Sequence, residues 1–595
     1  MNASELDDLV KELGRFGTDH QTVEAKRARD ALPESTHETL SAFGNTGGGI
    51  LILGVAEDQG VFEVTGVADA GQIQSDLRAL CGQMEPPLRA TIELVAHPNG
   101  NVVVCRIPGV LRQQRPCHLA SRPPEDSSYV RVGDGDTKLT RDQVLHMLAD
   151  ATLTDYSVSP APAGSDLDPG LREQLLTSLR ASSHRLDGRD DETLLAHVNA
   201  LDPDGQPTLA AMLVIGVNPQ GTLAPSRVDY RVLPRVGDPQ GTRFTGRHAE
   251  GVVGELLDEL LTWVRGDLGD IQVVRDGSVY NETQIPIEAV REVLSNALIH
   301  RSFAPGLRER RVVVELSAEA LTVTSPGNLF YGTDPDLLGL TSMSSVRNTS
   351  LVRIADHMTT PSGARIVESQ TSGIAAADVA CHLFGGVPIL FVDLPDSFQA
   401  HLIRGATDTS WAIGRIGDAK LQDHQVAVRL VSVAQRLSEL HEVYPELRGT
   451  AMDAAYAART LAPCSREVAA ARLVELEQAG LMHKLVIGRR PAWVLTEGTR
   501  PESVPATAAA KPAEPGRRRD RVPDLLAAIA RSSGGELSAA EIGSALVLTS
   551  PTSRARWIGR ARDRGLIVAT RENPFDPLNT YELTDEGRQV LNASA

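Results

Sequence analysis

A multidomain α+β protein is what this sequence predicts, and three observations predict it. At 595 residues the chain is too long for one core and suggests roughly four domains. Helical and strand periodicities alternate as far as Arg404, and Pro- and Ala-rich stretches interrupt the pattern at 155–168 and 501–520. Expected units are therefore 1–152, 165–405, 415–498 and 521–595, with 499–520 as a linker.

Composition narrows the class. A hydrophobic content of 41% is ordinary for a globular chain, and the five cysteines are scattered, odd in number and never spaced C-x-x-C. Neither a disulfide framework nor a zinc module is expected, and nothing points to haem. The start, MNASELDDLVKEL, is acidic and amphipathic, not basic and apolar, and no apolar run approaches spanning length. The expectation is a cytoplasmic protein without a membrane partner. Net charge is −18 but uneven: from Arg415 onward 25 Lys and Arg face 22 Asp and Glu, leaving −21 on the first 414 residues. Phosphate-contacting surface is thus expected in the tail.

In the first unit, Ser35–Gly44 has helical spacing, Asn45-Thr46-Gly47-Gly48-Gly49 breaks it, and Ile50–Val55, Asn101–Pro108 and Ser128–Gly133 read as strands. The Gly triplet lacks G-K-[ST] and follows a helix instead of opening one, so it reads as a tight turn and not a phosphate loop. Four ordered blocks carry a resemblance: Thr22-Val23-Glu24-x-Lys26; Ser41-Ala42-Phe43-x-Asn45-Thr46-x-Gly48-Gly49-x-Leu51-x-Leu53-Gly54-Val55; Pro116-x-His118; and Tyr129-Val130-Arg131-Val132-Gly133. Together they resemble the Schlafen AlbA-type domain, which implies an α+β fold and nucleic-acid binding. In Schlafens with ribonuclease activity three carboxylates serve catalysis, and the resemblance carries them onto Asp19, Glu24 and Glu57 or Asp58, with Glu24 as a metal ligand. Solvated surface acids are the competing reading of these positions.

Residues 155–168 read as a linker or strap. Beyond them Leu171–Leu179 and Glu192–Leu201 are helical in pattern, Thr208–Val217 is a buried helix or strand, Val228–Leu233 and Arg243–His248 are strands, and Ala249–Val264 is a helix with a core-facing Leu and Val stripe.

Pro286–Phe303 is the most informative stretch. As a helix it puts Val290, Val293, Leu294, Ala297 and Leu298 on one face and Glu292, Asn296 and His300 in an i+4 line on another. Such a line can hold Mg²⁺ and orient water, and it equally suits an amphipathic helix with a solvated polar side. Strands follow at Arg310–Leu316 and Ala320–Thr324, then the turn Ser325-Pro326-Gly327-Asn328.

Glu292-x-x-x-Asn296-Ala297-x-x-His300-Arg301 resembles the N-box helix of degenerate GHKL-type ATPase domains, which implies an α/β sandwich that binds ATP with Mg²⁺. The resemblance implies Asn296 as the Mg²⁺ ligand, Glu292 as the residue activating water, and His300, Arg301, Gly327 and Gly373 around the nucleotide. Arg347-Asn348-Thr349 and Thr371-Ser372-Gly373-Ile374 resemble blocks of the helicase-C-terminal-like subgroup, which often follows a Schlafen-type domain. Ser325 stands where those domains place an adenine-reading Asp, so Asn296 is a stronger ligand than Glu292 is a catalyst. Without a Walker A sequence no helicase motor is expected.

The tail carries two winged helix-turn-helix patterns. In the first, helices Thr450–Arg459 and Arg466–Gln478 precede strands Leu485–Ile487 and Ala492–Leu495 around the basic tip Arg489-Arg490. The mixed charge of Arg466–Gln478 leaves dimer contact open as an alternative. In the second, Val522–Ala530, Ser538–Leu546 (capped by Ser538) and Thr552–Arg564 are helices, followed by hairpin strands at Gly565–Val568 and Tyr581–Leu583. Arg554, Arg556 and Arg560 make its last helix the best candidate for DNA contact, against a solvated basic helix as the alternative.

Taken together these features predict an ATP-binding, DNA-binding regulator of the transcriptional type, active on double-stranded DNA, with RNA as a further partner and a homo-oligomeric state. A metal-dependent Schlafen-like nuclease is the alternative.

Overall fold

Isoleucine and leucine occur consecutively at 50–53 because their strand is covered on both faces, which removes the polar alternation of a half-exposed strand. Gly48–Leu53 lies inside a four-stranded sheet of order Val23–Lys26, Gly48–Leu53, Val102–Pro108, Thr91–Val95. The first pair is parallel and the others antiparallel. Ile50 and Ile52 face the helix Ala3–Phe16 through Leu6, Leu9 and Leu13. Leu51 and Leu53 face Leu40 and Phe43 of Thr36–Asn45 and Ile73 and Leu77 of Ala70–Gly82. Each such side chain contributes about 1.5–3 kcal/mol by burial.

The computed structural model describes every residue apart from 17–21, 59–60, 133–134, 153, 234–244, 276–277, 331–334, 341–345, 368–372, 418, 445–446, 448–451, 488–489, 497–521, 532–535, 539–541, 543–557, 559–560, 563, 565, 571–579, 587, 589 and 591–595. The chain is a mixed α+β molecule with several sheets that divides into two compact units, Met1–Thr499 and Arg500–Ala595.

Residues 155–168 form a strap: Ala161 N–H donates to Pro207 O at 2.8 Å, Asp168 N–H to Ile215 O at 2.8 Å, and Asp155 accepts from Ser350 N–H at 3.0 Å. Thr208–Val217, ambiguous from its apolar run, is the helix Leu209–Ile215, buried at every residue and capped by Thr208. A six-stranded sheet follows in the order Thr245–Ala249, Val228–Val232, Val312–Leu316, Ala320–Pro326, Ser397–Ile403, Leu390–Asp393. Val312, Val314 and Leu316 alternate inward against helices Val253–Leu268 and Ile287–Ile299.

At the Leu390–Asp393 edge the opposite face meets a different partner. Ala320, Leu390, Val392 and Ile403 pack with Leu430, Val431, Ala434 and Leu437 of the helix His424–Val443. That same core continues through Tyr456, Leu473, Leu476 and Trp493, so residues 424–495 share their interior with this sheet. Here a three-stranded sheet of order Met452–Asp453, Arg490–Leu495, Met482–Ile487 accompanies helices Ala454–Thr460 and Arg466–Gln478. The helix expected from Thr450 starts later, because 452–453 is spent pairing with Ala492 and Trp493.

In the second unit, the helix Val522–Arg531 packs Leu525, Leu526 and Ile529 against Ile542, Ile558, Ala561, Tyr581 and Leu583. Its sheet has the order Glu536–Ser538, Thr580–Leu583, Ile567–Ala569. Ser538, expected as a helix cap, ends a strand paired with Thr580. Most of 539–546 and 552–564 lies outside the described residues. Among the described residues no helix is long and apolar enough to cross a membrane.

Candidate functional site

Pro286, Glu288 and the apolar spacing behind them set the helix Ile287–Ile299, with Pro286 at its N-cap and an acid in the first turn where the helix dipole favours one. Val290, Val293, Leu294, Ala297 and Leu298 are buried, while Glu292, Asn296 and His300 are the half-buried line between them. Asn296 Nδ2 donates to Glu292 Oε1 at 2.7 Å. One amide oxygen and one carboxylate are therefore presented side by side. Opposite them stands Gly373, the first residue of the helix Gly373–Phe384, so close that a Cβ there would overlap the Glu292 carboxylate. The backbone approaches this pair as only glycine allows.

His300 follows the helix as its C-cap, and burial, reinforced by the Arg347 guanidinium, pushes its imidazole down to about 4. At neutral pH it offers a ring nitrogen or N–H, not a charge. Arg301 is buried and donates to Pro225 O at 3.0 Å and Arg310 O at 2.6 Å, with its guanidinium 5.1 Å from the Phe303 ring. Burial lowers its pKa to about 10, so it stays charged, and these bonds direct it into the scaffold. Gly327 has φ +92, and a Cβ would lie 2.5 Å from Ser302 Cβ, which fixes the turn after Ser325 against the end of the Ile287–Ile299 helix.

Arg347 and Asn348 lock that turn. Arg347 donates to Asn328 O at 2.8 Å and Ser302 Oγ at 3.3 Å, while Asn348 Nδ2 donates to Ile299 O at 2.7 Å and Arg301 O at 2.8 Å. Ser325, expected where an adenine-reading Asp would stand, is buried and donates its hydroxyl to Ala297 O at 3.1 Å. The donor set suits the Mg²⁺ and phosphate end of a nucleotide: an amide oxygen, a carboxylate and a helix N-terminus that excludes a side chain. It supplies no carboxylate to read adenine at Ser325. Mg²⁺ bound there would be held by Asn296 beside Glu292 and would screen phosphate charge.

The N-terminal motif residues are also placed. Glu24 meets Lys26 Nζ at 2.7 Å and Arg131 at 2.7 Å, and Arg131 meets Asp136 at 2.9 Å with its side chain only 1% exposed. Ser41 and Asn45 brace neighbouring segments: Ser41 Oγ donates to Cys117 O at 2.7 Å, Asn45 Nδ2 donates to Tyr129 O at 2.9 Å, and Asn45 Oδ1 accepts from Cys117 N–H at 2.6 Å. Gly49 adjoins the Phe43 ring, which a Cβ would reach at 2.5 Å, so the Gly triplet is a packing turn. Glu57 and Asp58 are exposed on the strand Val55–Asp58, and Asp19 lies outside the described residues. Among the described residues no group of three or more His, Cys, Asp or Glu can hold a metal ion.

Of the basic candidates, Arg489, Arg554, Arg556 and Arg560 lie outside the described residues, and Arg490 opens the strand Arg490–Leu495. On Arg466–Gln478 two acids turn away from the outer face: Glu475 pairs with Arg472 at 3.0 Å and Glu477 accepts from the Trp493 indole at 2.9 Å. What remains outward is Arg466, Glu467, Val468, Ala471, Val474 and Gln478. The buried pair Asp378–Arg459, at 2.6 Å, has no local sequence signature, because its members are 81 positions apart.

Two family models match parts of the chain. Residues 19–140 match the family model "Schlafen, AlbA_2", and residues 309–402 match "Putative ATP-dependent DNA helicase recG C-terminal". The second match begins after the Ile287–Ile299 helix. No curated protein matches the chain. Among solved structures, the DIP2311 protein from Corynebacterium diphtheriae is 18% identical, with 83% of this chain and 97% of that one covered at a TM-score of 0.34. The N-terminal domain of a RecG-related protein from Nitrosomonas europaea is 26% identical, with 22% and 92% covered at a TM-score of 0.19. The chain thus joins a region that matches the Schlafen AlbA_2 family to one that matches the recG C-terminal, HATPase-type family.

Proposed function

We propose that the protein is an ATP-binding, DNA-binding regulator in which nucleotide occupancy alters how its tail holds duplex DNA. The observation that carries the reading is the Glu292–Asn296 pair facing Gly373, a Mg²⁺ and phosphate site in a chain with a matching ATPase-type region. Asn296 is the metal-side ligand, Gly373 admits the phosphates, and Glu292 orients water in a slow hydrolysis at most. Residues 1–152 and 165–405 form the AlbA-like and nucleotide-binding domains, and 415–498 and 521–595 are winged helices joined by the linker 499–520. Supporting the last assignment, both tail sheets have the strand order first, third, second, with the last two strands as a hairpin. Arg490 with Arg489 at one wing, and Arg554, Arg556 and Arg560 in the other module, contact phosphate.

The nuclease alternative has weaker support, since Glu24 already engages Lys26 and Arg131. The test is fluorescence anisotropy with a labelled duplex at low salt, with and without ATP and Mg²⁺. A nucleotide-dependent change in affinity is the expected result. Absence of duplex binding would overturn the reading.

A further inference from the structure

The helix Gly373–Phe384 has two ends with different tasks. Its first residue abuts the Glu292 carboxylate beside Asn296. Five residues on, Asp378 is 1% exposed and accepts from Arg459 Nε at 2.6 Å and Nη2 at 3.0 Å, and also from Ile389 N–H at 3.2 Å. Arg459 belongs to Ala454–Thr460, donates to Ile389 O at 2.8 Å, and lies 4.9 Å from the Phe391 ring centroid. A second tie joins the same two helices, His382 Nδ1 to Thr460 O at 2.9 Å. Ala454–Thr460 in turn packs on Arg466–Gln478, the second helix of the same helix-turn-helix pattern.

A bidentate, buried ion pair has one good geometry, so displacement of one helix is transmitted to the other instead of being absorbed by slack side chains. Removing one partner leaves a buried charge without compensation, which makes the pair a rigid joint and not a sliding contact. Gly339 adds a contact from the loop side: a Cβ on it would lie 3.2 Å from Asp378 Oδ2 and 3.1 Å from Ile374 Cγ2. The 335–340 segment therefore rests on the same half of the helix that faces Glu292.

We propose that Gly373–Phe384 is the linkage between the nucleotide site and the winged helix of 415–498, with the Asp378–Arg459 pair as its joint. Phosphate bound at the Gly373 end shifts the helix, and Arg459 carries the shift into Ala454–Thr460 and so into Arg466–Gln478 and the wing that follows it. This rests on the nucleotide reading above. By linkage, DNA must change nucleotide affinity by the same factor as nucleotide changes DNA affinity.

The experiment uses the full chain, a non-hydrolysable ATP analogue with Mg²⁺, and a labelled duplex, comparing wild type with Asp378→Leu/Arg459→Met, an apolar pair of similar volume of the kind that often preserves stability. Wild type should show a shift of about 5-fold or more in each affinity when the other ligand is present. The double variant should bind each ligand alone as wild type does and lose the shift. If the double variant does not fold, His382→Ala, which removes the second tie alone, should reduce the shift. A folded double variant with the full shift, an undiminished shift in His382→Ala where that variant is the readout, or a wild type that binds both ligands without any shift overturns the linkage. A wild type that binds no nucleotide overturns the nucleotide reading itself, and the linkage with it.

Discussion

Glu24 lies in one buried ion network with Lys26, Arg131 and Asp136. Its spacing before Lys26 was visible in the sequence, but Arg131 and Asp136, which complete the network, stand more than 100 residues away. Replacing Arg131 with Leu leaves Glu24 and Asp136 facing each other in a buried site, and the expected loss is about 3–5 kcal/mol. Chemical denaturation monitored on the N-terminal region checks this, and a wild-type profile would contradict it. Two histidines set an acid limit. Burial pushes His401 down to about 4, and burial with Arg347 does the same to His300, from an ordinary value of 6.5. Between about pH 4 and 6.5 the unfolded chain therefore binds more protons than the folded one. Stability is full above about pH 6.5 and falls as pH drops through that window. Melting midpoints from pH 8 to 5 should decline on the acid side, less steeply in His401→Gln. A flat profile would contradict the assignment.

At the scale of elements, Ile287–Ile299 was legible almost whole, because its apolar face repeats at i, i+3 and i+4 and Pro286 marks its start. Gly373 was legible only as a turn residue. Its distinguishing property, contact with Glu292, depends on two helices meeting across 81 positions. Gly373→Ala should push these helices apart, lowering stability by about 1–3 kcal/mol and abolishing nucleotide binding together. Calorimetric titration beside a thermal melt separates the two effects, and unchanged binding would contradict the geometry. Strand existence was readable, whereas strand order was not: Val228–Val232 lies parallel to Val312–Leu316, 84 positions on, and no local pattern encodes that choice. Met452–Asp453 has no sequence signature, because two residues carry too little periodicity to register as a strand.

Across the whole molecule, charge divides the labour. The first 414 residues carry −21, which disfavours duplex, and the tail is net +3 with its arginines clustered. Converting Arg554, Arg556 and Arg560 together to Ala should weaken duplex binding evenly across sequences and reduce the slope of log K against log salt by about 2 to 3. An unchanged slope would place the DNA surface elsewhere. Coupling such a surface to ATP requires first that ATP binds. Isothermal titration of the full chain with ATP and Mg²⁺ measures that binding, with Asn296→Ala as the comparison. One saturable site is expected in wild type and none in the variant. No binding in wild type, or equal binding in both, would contradict it.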